Sequence, residues 1–204
     1  MMSLTFYYSP HSSASPVHWT LEELQIPYEK VALDLKAGDT KKPEFLKINP
    51  NGKVPVLVHN GVPICESAAI QIYLGETFGV EKGLYPPPGT QRAQVIMWIV
   101  WTNATLGEAM SRLGRNVGEW APADERNAKA GARALEEIRG MLQILEDALQ
   151  GKNYLTGSSL TIADLHVASW IDYVKMMQID LSVYPALSAW ATRCTSRPAY
   201  ASAP

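Results

Sequence analysis

Residues 54–70 have the sequence VPVLVHNGVPICESAAI, which predicts two strands, a tight turn and the start of a helix. Val54–Val58 and Val62–Cys65 are short apolar runs of the kind that form buried strands. The Asn60-Gly61 pair between them is a strong signal for a two-residue hairpin turn. We therefore expect an antiparallel strand pair, followed by a helix over Glu66–Phe78.

Two more strands and two more helices are predicted upstream of this stretch. Leu4–Tyr8 and Tyr28–Leu33 are apolar runs with aromatic residues, which favour strands. Val17–Leu24 has apolar residues at spacings of four and three, which favours a helix, and Pro43–Ile48 has the pattern of a short helical segment. The predicted order is βαβαββα, in which a helix between two strands usually joins a parallel pair.

The chain beyond residue 80 has a different pattern. Gly83–Gly89, with the sequence GLYPPPG, contains three consecutive prolines, which stop a helix and form a stiff connection. Strand patterns are lacking after it, and Thr161–Asp164 has the Ser/Thr-x-x-acid pattern of a helix start. Within Ala123–Gln150, apolar residues form a helical stripe of Leu135, Ile138, Leu142, Leu145 and Leu149.

The two patterns predict an α/β domain over residues 1–80, a proline-rich linker over 81–89 and an all-α domain over 90–204. The 18 Lys and Arg residues nearly balance the 20 Asp and Glu residues, which argues against nucleic acid or an anionic membrane as a partner. No uncharged apolar stretch approaches the roughly 20 residues of a membrane span, and the first residues lack a signal-peptide pattern. Two cysteines and four scattered histidines give no zinc-site spacing. We expect a cytoplasmic protein without a metal.

Several hydroxyl groups lie between the first predicted strand and the first predicted helix, at Tyr7, Tyr8, Ser12 and Ser13. The start of a helix has free N–H groups and a dipole that favour a negative charge there. The alternative is that the serines only cap the helix.

Polar groups also accompany the hairpin. A cis bond between Val54 and Pro55 would turn the Val54 carbonyl and N–H towards a peptide ligand, whereas a trans proline at a sheet edge is the commoner arrangement. Ser67 could offer its hydroxyl and N–H to a carboxylate, and Glu66 could bind an ammonium, although both residues also suit a helix start. Lys53 supplies a cation beside the third strand, with a solvated loop lysine as the alternative.

Three segments together resemble the soluble glutathione transferase superfamily. They are PEFLKINPNGKVPVL at residues 43–57, ESAAI at 66–70, and YLTG at 154–157 followed by LTIAD at 160–164. The similarity extends from Tyr7 to about Trp190. It implies a thioredoxin-like N-terminal domain followed by an all-helical C-terminal domain.

The resemblance implies that the protein binds the tripeptide glutathione as a co-substrate. It assigns the cysteinyl backbone of glutathione to Val54, which precedes Pro55 in a cis bond. It assigns the γ-glutamyl end to Glu66 and Ser67, and the glycyl carboxylate to Lys53 or Lys41.

The resemblance also implies that one hydroxyl after the first strand stabilises the thiolate of glutathione. Similarity to bacterial serine-type members makes Ser12 the first choice, with Ser13 and Tyr7 as alternatives and the adjacent Tyr8 still open. A free thiol titrates near pH 8.5, and one hydroxyl donor with a helix N-terminus would lower its pKa by about one or two units. No cysteine lies between Tyr7 and Pro16, so reduction through a protein cysteine is not expected.

The resemblance places a site for a hydrophobic electrophile on the helical domain. Met97, Trp101 and Thr105 are spaced by four, which puts them on one face of a predicted helix, and Met110 and Trp120 are further candidates. An ordinary core stripe is the alternative for each of them.

The leading hypothesis for function is a glutathione transferase acting in detoxification, and the resemblance implies a homodimer. The second hypothesis is a glutathione-dependent peroxidase or disulfide reductase that uses the same bound thiolate. The third is a non-enzymatic, glutathione-binding regulatory protein, because a fold does not by itself confer a function.

Overall fold

The computed structural model describes residues 3–118 and 121–203, which form two compact units. The first unit comprises residues 3–92 together with 195–203, and the second comprises the described part of Ala93–Cys194. The division therefore differs from the predicted helical domain over 90–204, because the last residues of the chain pack with the first unit.

A four-stranded sheet with the order β2-β1-β3-β4 forms the centre of the first unit. Its strands are β1 (Leu4–Tyr8), β2 (Glu29–Ala32), β3 (Val56–His59) and β4 (Val62–Cys65). β1 pairs in parallel with β2, whereas the β1–β3 and β3–β4 pairs are antiparallel. Asn60 and Gly61 have φ values of 50° and 81°, which is the conformation that a tight hairpin turn requires. The predicted hairpin is confirmed.

The helices of the first unit are α1 (Ser15–Leu24), α2 (Pro43–Leu46), α3 (Ser67–Leu74) and the last helix of the chain, α9 (Pro198–Ala201). A π-helical turn over Gly75–Gly79 extends α3. The predicted βαβαββα order is therefore confirmed. α1 and α3 pack against each other and contribute to a core of fully buried side chains, among them Phe6, Val17, Leu21, Leu57, Ile70 and Leu74.

The second unit is helical. It contains α4 (Thr90–Trp101, which begins in the first unit), α5 (Gly107–Val117), α6 (Ala128–Leu149), α7 (Ile162–Met176) and α8 (Pro185–Thr195). A π-helical turn over Thr102–Leu106 joins α4 to α5. Four of the five leucine and isoleucine residues in the predicted stripe of α6 are buried, namely Ile138, Leu142, Leu145 and Leu149.

Asp164 connects three parts of the second unit. Its buried carboxylate accepts hydrogen bonds from the backbone N–H groups of Thr161 (2.9 Å) and Leu155 (2.8 Å) and from Nε1 of Trp190 (2.9 Å). Thr161 completes the capping box that its spacing to Asp164 predicts. Burial raises the pKa of the Asp164 carboxyl, and these donors oppose that shift.

We expect Asp164→Ala to lower the free energy of unfolding by about 3 kcal/mol or more, because it leaves several buried donors unpaired. Asp147→Ala is the matched control, since Asp147 is exposed on α6 and accepts one side-chain hydrogen bond from Gln143. Urea unfolding of both variants measures the difference, and equal losses would contradict this role of Asp164.

His166 on α7 is fully buried. Its Nε2 lies 2.7 Å from Oδ1 of Asn103, an acceptor, so Nε2 carries the proton of a neutral ring. Its Nδ1 is buried without a hydrogen-bond partner. Burial lowers the pKa of His166 to about 3. The ring therefore stays neutral in the folded protein at pH values where an unfolded histidine becomes charged.

The pKa of His166 is lower in the folded state than in the unfolded state, so the unfolded state binds a proton more readily and acid favours unfolding. The contribution of His166 to the free energy of unfolding is therefore lost as the pH falls below about 6.5 towards 3. One such group contributes a slope of about 1.4 kcal/mol per pH unit in that range. Between pH 6 and pH 4 we expect the unfolding free energy of His166→Gln to depend less steeply on pH than that of the wild type. The expected difference corresponds to uptake of on the order of one proton fewer on unfolding. Identical slopes in urea unfolding series would show that His166 does not contribute.

Candidate functional site

The loop between β1 and α1 holds the two candidate serines. Ser12 Oγ donates to the carbonyl of Ser9 (2.7 Å) and accepts from the N–H of Ala14 (3.2 Å). Both bonds lie within the loop, so the Ser12 side chain stabilises the turn that precedes α1. α1 begins at Ser15 after the N-cap residue Ala14 and has no side-chain cap, so the capping alternative is wrong for both serines.

Ser13 joins this loop to the start of β3. Its Oγ donates to the carbonyl of Val54 at 3.1 Å, across 41 residues of sequence. The Val54–Pro55 bond is cis, so the trans alternative is wrong. Ser13 itself is exposed, whereas Val54 and Pro55 are buried. The structure thus brings Ser13 and the cis peptide bond together.

Glu66 and Ser67 begin α3 directly after β4. Glu66 is exposed, and its φ of 70° is a conformation that side-chain-bearing residues rarely adopt. A backbone of this kind often marks a functional position, because it is kept at a cost of about 1–3 kcal/mol. Ser67 is the first residue of α3 and is buried. Both residues directly follow Cys65 in sequence, and Cys65 pairs with Val56 of β3.

The loop before β3 contains Lys53 and accepts a hydrogen bond from the other candidate lysine, Lys41. Lys41 Nζ donates to the carbonyl of Gly52 at 2.9 Å, which uses one of its three donors. Gly52 has a φ of 58°, and a Cβ there would lie 2.9 Å from the backbone carbonyl oxygen of Thr40, so this position requires glycine. Lys53 follows and is exposed, and its carbonyl accepts from Nδ2 of Asn49 at 2.7 Å.

The two tyrosines of β1 lie on opposite faces of the sheet, as strand alternation requires. Tyr7 packs edge to face against Phe45, with 6.0 Å between ring centroids, in the cluster that contains Val54. Tyr8 stacks on Phe6, with 5.4 Å between ring centroids, on the face that carries α1. Of the two, only Tyr7 shares a cluster with Val54.

The candidates on the helical unit have different surroundings. Met97 is about half exposed, at 50%, and Trp101 is partly buried with its ring 5.4 Å from that of Trp98. Thr105 lies in the π-helical turn, so the α-helical spacing used to group it with Met97 ends at Trp101. The placement of Met110 in the electrophile site is not supported, because its side chain is fully buried in the core. Trp120 lies outside the described residues.

The chain has two cysteines, Cys65 and Cys194. Burial and the neighbouring charge of Glu66 raise the pKa of the Cys65 thiol, which keeps it protonated near neutral pH. Cys194 is fully buried in α8. Over residues 3–118 and 121–203 no group of three His, Cys, Asp or Glu side chains is suited to hold a metal ion. No helix in the same ranges has the length and hydropathy to cross a membrane.

Both halves of the chain match models of known protein families. Residues 2–76 match the family model for the glutathione S-transferase N-terminal domain, and residues 99–198 match that for the C-terminal domain. The chain therefore belongs to the glutathione S-transferase family.

Individual relatives have more than one described role. The chain is 31% identical over 204 residues to the "Disulfide-bond oxidoreductase YfcG" of Escherichia coli strain K12, a match that covers 96% of this chain and 92% of that protein. It is similar to the yeast protein Ure2p in complex with glutathione, with a TM-score of 0.90, 25% identity and coverage of 99% and 98%. It is also similar to the glutathione transferase URE2P6 of Phanerochaete chrysosporium with oxidized glutathione, with a TM-score of 0.90, 26% identity and coverage of 98% and 94%.

Proposed function

We propose that this protein is a glutathione transferase that activates the thiol of glutathione for attack on a hydrophobic electrophile. The observation that carries the proposal is the hydrogen bond between Ser13 and Val54, at the cis Val54–Pro55 bond. A backbone at this position can pair with the cysteinyl residue of a bound peptide, and an adjacent hydroxyl can then donate to its sulfur. The thiolate is the nucleophilic form of a thiol, so a donor that favours it increases the reactive fraction at neutral pH.

Ser13 is better supported than Ser12 as the donor to the sulfur. Each serine already donates its one hydroxyl proton and would give up that bond on donating to a ligand, but the bonds of Ser12 both lie within its own turn, whereas that of Ser13 lies at Val54. Ser13 is exposed and already lies at Val54, so a small rotation of its hydroxyl would redirect the proton to a neighbouring sulfur. Tyr7 remains the third candidate because it shares the cluster of Val54.

The remaining contacts follow the family resemblance. We propose that Glu66 and Ser67 bind the γ-glutamyl end of glutathione, and that Lys41 or Lys53 binds the glycyl carboxylate. The exposed position of Glu66 and the hydrogen bond from Lys41 to Gly52, the residue before the exposed Lys53, support this assignment.

For the electrophile, the proposal uses side chains of the helical unit. We propose Met97 and Trp101 as contacts because both are accessible, and Thr105 as a further contact on the following turn. An apolar, polarizable surface of this kind suits an aromatic or aliphatic substrate.

A glutathione-dependent disulfide reductase is the second candidate, favoured by the similarity to the E. coli disulfide-bond oxidoreductase. In that reaction the glutathione thiolate attacks one sulfur of a disulfide, forms a mixed disulfide and releases the other sulfur as a thiolate. A second glutathione then releases the remaining thiol and leaves oxidized glutathione.

The two-fold homodimer and the cytoplasmic location are proposed from the family resemblance alone. Light scattering of the purified protein tests the homodimer.

The deciding experiment is titration of the thiolate absorbance of bound glutathione in wild type, Ser12→Ala and Ser13→Ala. We expect a bound-thiol pKa about one to two units below that of free glutathione in wild type. Ser13→Ala should raise that pKa towards the free value and lower kcat/KM by about 10- to 100-fold, because about 1.4 kcal/mol corresponds to each unit. Ser12→Ala should retain the lower pKa, as should the control Ser111→Ala on the exposed surface of α5.

Different outcomes lead to different conclusions. Loss of the pKa depression in Ser12→Ala alone would move the donor to Ser12, and retention in both serine variants would favour Tyr7. Bound glutathione without a thiolate near neutral pH would overturn the catalytic proposal in favour of a non-enzymatic protein. Turnover of a disulfide but not of a carbon electrophile would assign the reductase.

A further inference from the structure

We propose that residues 195–203, called the C-terminal strap below, position the Ser12–Ser13 loop by holding helix α1. The strap would thereby couple its own docking to the binding of glutathione. This inference rests on the proposed glutathione site, and it adds a positioning role for residues far from that site.

Two side-chain contacts join the strap to one face of α1. Arg197 donates from Nε to Oε1 of Glu23 at 2.9 Å and also donates from Nη2 to the same oxygen. Tyr200 packs edge to face on Trp19, with 4.9 Å between ring centroids and 64° between ring planes. Trp19 and Glu23 are four residues apart, so they lie one above the other on α1.

The ion pair is largely shielded from water on the α1 side. The Glu23 side chain is only 9% exposed, and its Oε2 is buried without a hydrogen bond. The guanidinium of Arg197 supplies the positive charge against this carboxylate. If Arg197 lost its charge while the strap stayed on α1, Glu23 would be left as a shielded carboxylate without that charge, which is strongly unfavourable.

α1 in turn connects to two parts of the proposed site. Its first residue, Ser15, donates its N–H to the carbonyl of Ser12 at 3.0 Å, so the loop continues directly into the helix. The carbonyl of Pro16 accepts from Nε2 of Gln71 on α3 at 2.7 Å, and that bond is buried. α3 begins with Ser67. A shift of the ten-residue helix α1 would therefore move the serine loop and would also disturb the hydrogen bond between Pro16 and Gln71 of α3.

This arrangement means that the glutathione-binding unit is completed by the end of the chain. Arg197 and Glu23 are separated by 174 residues, and the helical unit lies between them in sequence. Coupling between two sites is reciprocal, so a strap that favours glutathione binding must itself be held more firmly when glutathione binds.

The first test is hydrogen exchange of the wild-type protein with and without glutathione. We expect glutathione to slow exchange in residues 198–203 as well as in the loop of residues 9–14. The second test compares Arg197→Gln with Arg133→Gln, a control on α6 whose side chain is 83% exposed and pairs with Glu137. We expect Arg197→Gln to speed exchange in the loop and to weaken glutathione binding by about fivefold or more, the lower end of typical coupling between sites, whereas the control should do neither.

Two further variants separate positioning from simple loss of stability. Tyr200→Ala should act in the same direction as Arg197→Gln. Glu23→Gln combined with Arg197→Gln removes the shielded charge and should recover part of the glutathione affinity. A lower Tm in Arg197→Gln with unchanged glutathione affinity and unchanged loop exchange would overturn the proposal.

The failure of the proposed function can be told apart from the failure of the strap. If the wild-type protein binds no glutathione, the proposed site is wrong, and the exchange of residues 9–14 in Arg197→Gln still tests whether the strap holds the loop. Unchanged exchange there would overturn the strap. If glutathione binds and the loop responds in Arg197→Gln, but glutathione does not slow exchange in the strap, the coupling is overturned.

Discussion

The pairing of β1 with β3 is the constraint on which the rest of the candidate site depends. The two strands are antiparallel, with Tyr7 opposite Val56, so the end of β1 lies beside the start of β3. β3 pairs antiparallel with β4, which places Cys65 opposite the same Val56. The loop after β1, the cis peptide before β3 and the first turn of α3 therefore meet at one edge of the sheet. The hydrogen bond from Ser13 to Val54 closes this arrangement across the edge.

The second constraint is the position of α1, which is set from several sides at once. Val17 and Leu21 are buried in the core, Pro16 is bonded to Gln71, and Glu23 is paired with Arg197. Of these contacts, only the pair with Arg197 involves a residue that follows the helical unit in sequence. The helix that follows the serine loop is thus held partly by local packing and partly by an ion pair between residues 174 positions apart in sequence.

The sequence predicted the order of strands and helices along the chain because each element depends on local periodicity, which Leu142 and Leu145 of α6 illustrate. The local residues could not decide the Val54–Pro55 isomer, because most X–Pro bonds are trans, whereas the family resemblance implied the cis bond that is present. Met110 is fully buried, as the core alternative predicts for it, whereas the π-helical turn interrupts the spacing that grouped Thr105 with Met97. The pairing of Arg197 with Glu23 leaves no local pattern at all, although Pro198 at the first position of α9 is a signal for that short helix.

The distribution of thiols limits the chemistry that any of the candidate functions can use. The chain has two cysteines, of which Cys194 is fully buried and Cys65 has a raised thiol pKa beside Glu66. Cys65 lacks the lowered pKa of a reactive cysteine, and Cys194 lacks the exposure. A transferase and a disulfide reductase built on this chain would therefore share one nucleophile, the sulfur of bound glutathione, and one activating group. They would differ in the second substrate that this sulfur attacks, a carbon electrophile in one case and a disulfide in the other.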